Sequence, residues 1–101
     1  MANYHLTHKA IEDLSNIWEY TVEVWSEQQA DKYYNLIIDS FTRILENPLL
    51  LGLKYDEVYP GLFGFKVKKH IVFYQLFSNQ DILIIRILHE SMDYKRYFAK
   101  S

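Results

Sequence analysis

The run IIRILHESMD, residues 84–93, gathers the groups best suited to chemistry. Arg86 lies inside an apolar stretch, His89 ends it, and Glu90, Ser91 and Asp93 follow. Cutting RNA through its 2′-hydroxyl needs a base, an acid and a cation for the charge that builds on phosphorus. His89 could act as the base, Arg86, Lys66, Lys68 or Lys69 as the cation, and Tyr94 or Tyr97 as a helper. The same residues have a structural reading: a strand arginine paired with a carboxylate, and a hydrogen-bonded histidine at a strand end. A small chain nearly always holds such ingredients, so the structural reading is favoured. Ser91 lies two residues from both His89 and Asp93. Such close neighbours seldom form a triad, and no nucleophile-elbow glycines surround this serine.

Other chemistries find less support. There is no cysteine, and the four histidines are His5, His8, His70 and His89. Zinc wants three or four ligands in tetrahedral reach, and no acidic cluster accompanies His5 and His8, so neither metal nor cofactor is expected. Lys66, Lys68, Lys69 and His70 interleave with Phe65, Phe73 and Tyr74, a mixture seen where single-stranded nucleic acid stacks. Lysines at a hairpin equally guard a sheet edge against aggregation. The net charge of −2 adds no general pull toward nucleic acid or membrane. Neither sequence-specific nucleic-acid binding nor membrane association is expected. The N-terminus lacks an apolar signal core, and no run reaches spanning length. A cytoplasmic protein is expected.

The elements that must position these residues follow from periodicity. A chain of 101 residues, half of them hydrophobic, makes one domain with one modest core. A brief strand is expected at about 2–6, with Thr7 as an N-cap. Ala10, Leu14, Ile17, Trp18 and Thr21 then recur at helical spacing, giving a helix over about 8–24. Ser26 and Gln29 fit a capping box, with Trp25 and Ala30 at the staple positions, so a second helix starts at Glu27. Its stripe is Ala30, Tyr34, Ile37, Phe41 and Ile44, and Asn47-Pro48 stops it. Tyr59-Pro60-Gly61-Leu62 suits a type II turn. Beyond it, Phe63, Phe65 and Val67 point one way, Gly64 and Lys66 the other. HIVFYQLF (70–77) and ILIIRILH (82–89) are apolar on both faces, as central strands are. Short links make the last three strands an antiparallel meander. The fold class is α+β: strand, helix hairpin, then a three-stranded meander forming a curved sheet packed on the two helices. The residues from about 90 to 101 form a short tail, read as a half-turn or a frayed end. Trp18, Trp25, Tyr33, Tyr34 and Phe41 are more aromatic surface than one helix hairpin needs, so most of it is read as core and a minority as a groove for a partner's helix or strand.

Three segments carry a family resemblance. IWEYTVEVWSEQQADKYYNLIIDSFTRILENP resembles the helix hairpin of ParE toxins, PGLFGFKVKKHIVFYQ is similar to their second and third strands, and ILIIRILHESMD resembles their ending R-x-L-H-x-x-M-D. The matches fall in order and span almost the whole chain. The resemblance implies the toxin half of a type II toxin–antitoxin pair within the ParE/RelE superfamily. It implies a non-catalytic inhibitor of DNA gyrase, neutralised by a ParD-like antitoxin held at Trp18, Trp25, Tyr33 and Tyr34. Target contact would fall to Met92, Asp93, Tyr94, Lys95, Arg96, Tyr97 and Phe98. The alternative is a ribosome-dependent mRNA endonuclease of the RelE type, in which Arg86, His89, Lys68 and Tyr94 would be catalytic. Two positions depart from the family pattern. Phe63 stands where an arginine is frequent, and Lys68-Lys69 where the hairpin often carries glycine. Because lysine tolerates positive φ poorly, a distorted or bulged turn is expected there.

Overall fold

The structure, a computed structural model, describes residues 2–98. A short strand β1 (Tyr4–Leu6) leads into α1 (His8–Val24) and α2 (Glu27–Glu46). There follow α3 (Pro48–Leu51), β2 (Leu53–Lys54), β3 (Phe63–Val67), β4 (His70–Leu76), β5 (Ile82–His89) and α4 (Tyr94–Phe98). One sheet holds all five strands in the order β1-β5-β4-β3-β2. β1 runs parallel to β5, and the other pairs are antiparallel.

Local chemistry sets the helix boundaries. The Thr7 hydroxyl accepts the Ala10 N–H at 3.0 Å and donates to the Ile85 carbonyl at 2.7 Å, so one side chain caps α1 and ties it to β5. Ser26 caps α2 by accepting the Gln29 N–H at 3.1 Å. Trp25, placed at a staple position by its spacing, instead stands 73% exposed. Pro48 ends α2 as expected but also opens α3, because a first-turn proline loses no helical hydrogen bond.

The expected stripes face the sheet except at Tyr34, which is 37% exposed while its neighbour Tyr33 packs against the core. Ala10 and Leu14 of α1, with Ala30, Ile37, Phe41 and Ile44 of α2, are buried. From the sheet, Val67, Val72, Tyr74, Ile82, Ile84 and Ile87 join this helix-side core. Alternate residues of the same strands face away. Ile71, Phe73 and Leu88 build a second core with Leu62, covered by Tyr55, Val58 and Tyr59 from the loop and by Tyr94 and Phe98 from the tail. As far as Phe98 the tail is thus neither frayed nor a bare half-turn, because aromatic packing orders it as α4, and its last residues, 99–101, lie outside the described residues.

Irregularities mark three places. Leu62 donates its N–H to the Tyr59 carbonyl at 3.1 Å, and Gly61 takes φ +78°, as the type II turn requires. The β3–β4 turn keeps its register, with Val67 opposite His70, and Lys68 absorbs the strain at φ 56°. The expected distortion is therefore confined to one backbone angle. In β5, Phe73 faces Arg86 while Tyr74 faces Ile84, leaving Ile85 as an extra residue. That bulge shifts the alternation, so that Ile82, Ile84 and Ile87 all reach the helix-side core.

Candidate functional site

The bulge places Arg86 at the margin of the sheet, beyond the short β1 strand. There α1 supplies Asp13. The Arg86 Nε donates to Asp13 Oδ2 at 2.9 Å, and Nη2 donates to Oδ1 at 2.8 Å. The Ile87 N–H, which β1 is too short to pair, also donates to Oδ2 at 2.9 Å. Both side chains are largely buried, Arg86 at 16% and Asp13 at 11% exposure. The Asp13 hydrogen bonds hold the Arg86 pKa above its ordinary value. On its far side the guanidinium carbon lies 5.1 Å from the centre of the Tyr97 ring. The Nε–Nη2 edge of the guanidinium is therefore committed and one face is covered. A cation fixed in this way serves architecture better than a migrating phosphate charge.

His89 is committed through one nitrogen. Its Nδ1 accepts the Ser91 N–H at 3.1 Å and lies 2.7 Å from the Ser91 hydroxyl. An accepting Nδ1 puts the proton of the neutral ring on Nε2. The exposed nitrogen is then a donor, the opposite of what a general base needs. His70 packs edge-on against His89 with ring centres 5.3 Å apart. Burial, then the nearby His89, push the His70 pKa down to about 4. Its Nδ1 is 2.7 Å from the Tyr33 hydroxyl, which also accepts the Lys69 N–H at 3.3 Å and lies 3.3 Å from the Val67 carbonyl. Tyr33 thus secures the turn that contains the strained Lys68.

The lysines do not form an open cationic track. Lys66 Nζ lies 2.7 Å from one oxygen of Glu90, and Lys69 Nζ lies 3.7 Å from the other. The Lys66 hydrogen bond holds the Glu90 carboxyl below its ordinary value. Lys68 is exposed at the turn. Among the described residues, no three of His, Cys, Asp and Glu converge as metal ligands, and no helix is long and apolar enough to cross a membrane.

The tail divides by direction. Tyr94 donates its hydroxyl to the Glu90 carbonyl at 2.6 Å and packs on Phe73, and Phe98 packs on Phe73 and Tyr59. Met92, Asp93, Lys95, Arg96 and Tyr97 face outward. Met92 and Tyr97, with Ile17 and Tyr20 of α1, ring a cavity of about 400 Å³ whose lining includes Arg86 and His89. The structure thus brings Arg86, His89, Met92 and Tyr97 together, and leaves Lys68 and Tyr94 outside that cavity. A second groove, of about 600 Å³, runs between the helices and β1 and includes Trp18 and Tyr34. There Trp18 Nε1 donates to Asp31 at 3.0 Å. Trp25 stands outside that groove's lining.

The sequence does not reveal the partnerships of Asp13, Glu90 and Tyr33, the last of which stands out there only as aromatic surface of the hairpin. Their roles come from contacts 73, 24 and 37 positions away along the chain (Arg86, Lys66, His70), which periodicity does not record. For Asp13 a faint signal existed: a buried strand arginine calls for a carboxylate on the neighbouring layer.

Comparison with known proteins adds the family context. A family model described as the ParE toxin of type II toxin–antitoxin systems, parDE, matches residues 4–94. Toxin ParE1 of Mycobacterium tuberculosis is 30% identical over 95 residues, covering 94% of this chain and 96% of that protein. Toxin ParE1 of Caulobacter vibrioides is 30% identical over 99 residues, covering 98% and 100%. Among solved structures, a chromosomal ParDE system from P. aeruginosa superposes with a TM-score of 0.72 at 21% identity, covering 88% of this chain and 96% of that one. The toxin–antitoxin complex RelBE2 from Mycobacterium tuberculosis gives 0.65 at 16% identity, covering 90% and 93%. These structural likenesses speak for the fold.

Proposed function

The chain belongs to the ParE toxin family of type II toxin–antitoxin systems, and from that premise we propose that it acts by binding: a non-catalytic inhibitor of DNA gyrase, neutralised by a ParD-like antitoxin. The commitment of Arg86 carries this reading. Its Nε–Nη2 edge is closed on Asp13 and one face lies against Tyr97, so the most buried of the cations that strand-cleaving chemistry would call on is already engaged, while Lys66 and Lys69 are engaged by Glu90. The outward residues of the tail, Met92, Asp93, Lys95, Arg96 and Tyr97, are the target-contact surface, with Tyr94 and Phe98 anchoring them from below. The antitoxin covers the hairpin face at Trp18, Trp25 and Tyr34, with Tyr33 beneath. The protein works in the cytoplasm, where both partners are met.

The test sets gyrase supercoiling and cleavage-complex formation beside ribosome-dependent mRNA cleavage, using one preparation. Gyrase inhibition with intact mRNA is expected. His89→Ala should leave that inhibition within about twofold, since the side chain's hydrogen bonds go to Ser91 alone and its ring packs on His70 rather than on the tail helix. Cut mRNA with unaffected gyrase, abolished by His89→Ala, would establish the endonuclease instead. The antitoxin contact has its own probe. The chain's two tryptophans, Trp18 and Trp25, both lie on the hairpin. Binding of the antitoxin should shift their emission to the blue, and an unchanged spectrum at saturation would place the antitoxin elsewhere.

A further inference from the structure

We infer that Asp13, Arg86 and Tyr97 form a bridge that fixes the direction of the tail, making Asp13 and Arg86 positioning residues for whatever the tail contacts. α4 has five residues, too few to persist alone in water. Two of them, Tyr94 and Phe98, hold it to the sheet face turned away from the helices. Anchors on a single face leave the opposite side of the helix without a contact of its own. Tyr97 supplies the missing restraint. Its ring lies 5.1 Å from the guanidinium carbon of Arg86, which Asp13 fixes by two hydrogen bonds at 2.8 and 2.9 Å. Asp13 is in turn fixed by the Ile87 N–H at 2.9 Å and by its place on α1. The tail is therefore held both on the far face of the sheet and, through Arg86, on the helix layer. Lys95 and Arg96, between the anchors, are presented outward in one orientation.

The role in target contact rests on the binding reading above, whereas the fixing of the tail is tested without any target. Trypsin under native conditions cuts after Lys95 and Arg96 only when the tail opens. When closing outpaces cleavage, the rate follows the open population. Rates are normalised to cleavage of the same variant in denaturant. Tyr97→Phe keeps the ring and should stay within about twofold of the parent chain. Tyr97→Leu keeps apolar bulk but loses the ring face and should be cut about fivefold faster. Asp13→Asn keeps an acceptor but not the charge and should also speed cleavage severalfold, although Asp13 lies far from the cut sites in sequence. Leucine behaving like phenylalanine would mean simple packing and would overturn the bridge. So would Asp13→Asn with parental cleavage. In parallel, Asp13→Asn, which lies outside the proposed contact surface, should raise the concentration for half-inhibition of gyrase about fivefold while antitoxin affinity holds. Loosened tails with full potency would overturn the positioning role. A parent chain inert on gyrase would defeat the binding reading and leave the protease result to judge the bridge.

Discussion

Asp13 accepts three hydrogen bonds while only 11% exposed, and each donor depends on it. Asp13→Ala would strand a buried guanidinium and a strand N–H together. Breaking a buried pair from one side costs about 3–5 kcal/mol, so the urea midpoint should drop sharply with an unchanged slope. Tyr74 and Gly52 make a tighter case. The Tyr74 hydroxyl donates to the Pro48 carbonyl, and it occupies the space that a Cβ on Gly52 would need. Gly52→Ala should cost about 2–3 kcal/mol through overpacking, and the cost should shrink in a Tyr74→Phe background, a coupling that a double-mutant cycle reads directly. His70 carries the pH dependence. It faces Tyr33 on α2, His89 on β5 and the charges of Asp13 and Glu90. The unfolded chain binds a proton near pH 6.5, whereas the folded chain refuses it until about pH 4. Protons thus favour the unfolded state in this window. The stability tied to a neutral His70 is complete above about pH 6.5 and is lost as pH falls toward 4. Discounted for the partial exposure of the ring, the effect is about 1–2 kcal/mol. Asp81 and Glu90, whose pKa values lie below the ordinary range, act in the same direction at still lower pH, since the stability they add as carboxylates is lost when acid protonates them. His70→Asn should flatten the urea midpoint between pH 6.5 and 4.5.

Elements differ in how much of their making is local. The two long helices have the boundaries that their caps and stripes predicted, Thr7 and Ser26 included, because capping and amphipathic spacing act within a few residues. The type II turn at Pro60-Gly61 was legible for the same reason. β2 was not, since two residues with exposed side chains leave no periodic trace, and only pairing with Phe63 and Gly64 defines them. Nor was the β5 bulge legible, because apolar residues on both faces hide a change of alternation. The β3–β4 turn lies between these cases. Its sequence announced strain but not where the strain would settle. Lysine in the left-handed region costs about 1–2 kcal/mol, and glycine gives back about 0.5–1 kcal/mol of that through chain entropy. Lys68→Gly should therefore raise stability by up to about 1 kcal/mol, read as a higher urea midpoint. An equal or lower midpoint would mean that Tyr33 already relieves the strain through its bonds to the turn.

At the scale of the molecule, the sheet carries two cores, and the sequence announced both through the doubly apolar β4 and β5. The cover of the first was legible as a helix hairpin. The cover of the second was not, because an irregular loop and a five-residue helix have too little periodicity to declare a buried face. This changes what removal of the tail would mean. Taken as a surface appendage, residues 92–101 could be deleted to abolish toxicity while sparing the fold. The structure instead puts Tyr94 and Phe98 against Phe73, with ring centres 5.2 and 5.3 Å away. Two half-buried aromatics contribute about 1–2 kcal/mol each, against a total stability of about 5–15 kcal/mol for a domain. A chain ending at Ser91 should therefore lose a large share of its stability, expose Phe73 and Leu88, and melt far below the full chain or aggregate. Lost toxicity in such a chain would report unfolding as much as lost contact. The contact question belongs to Lys95 and Arg96, which are exposed and bear no core. Lys95→Ala with Arg96→Ala should leave the melting temperature within about 2 °C and antitoxin binding intact, while weakening inhibition of gyrase. If this pair kept full potency, the binding surface would have to be sought in the cavity at Tyr20 and Met92.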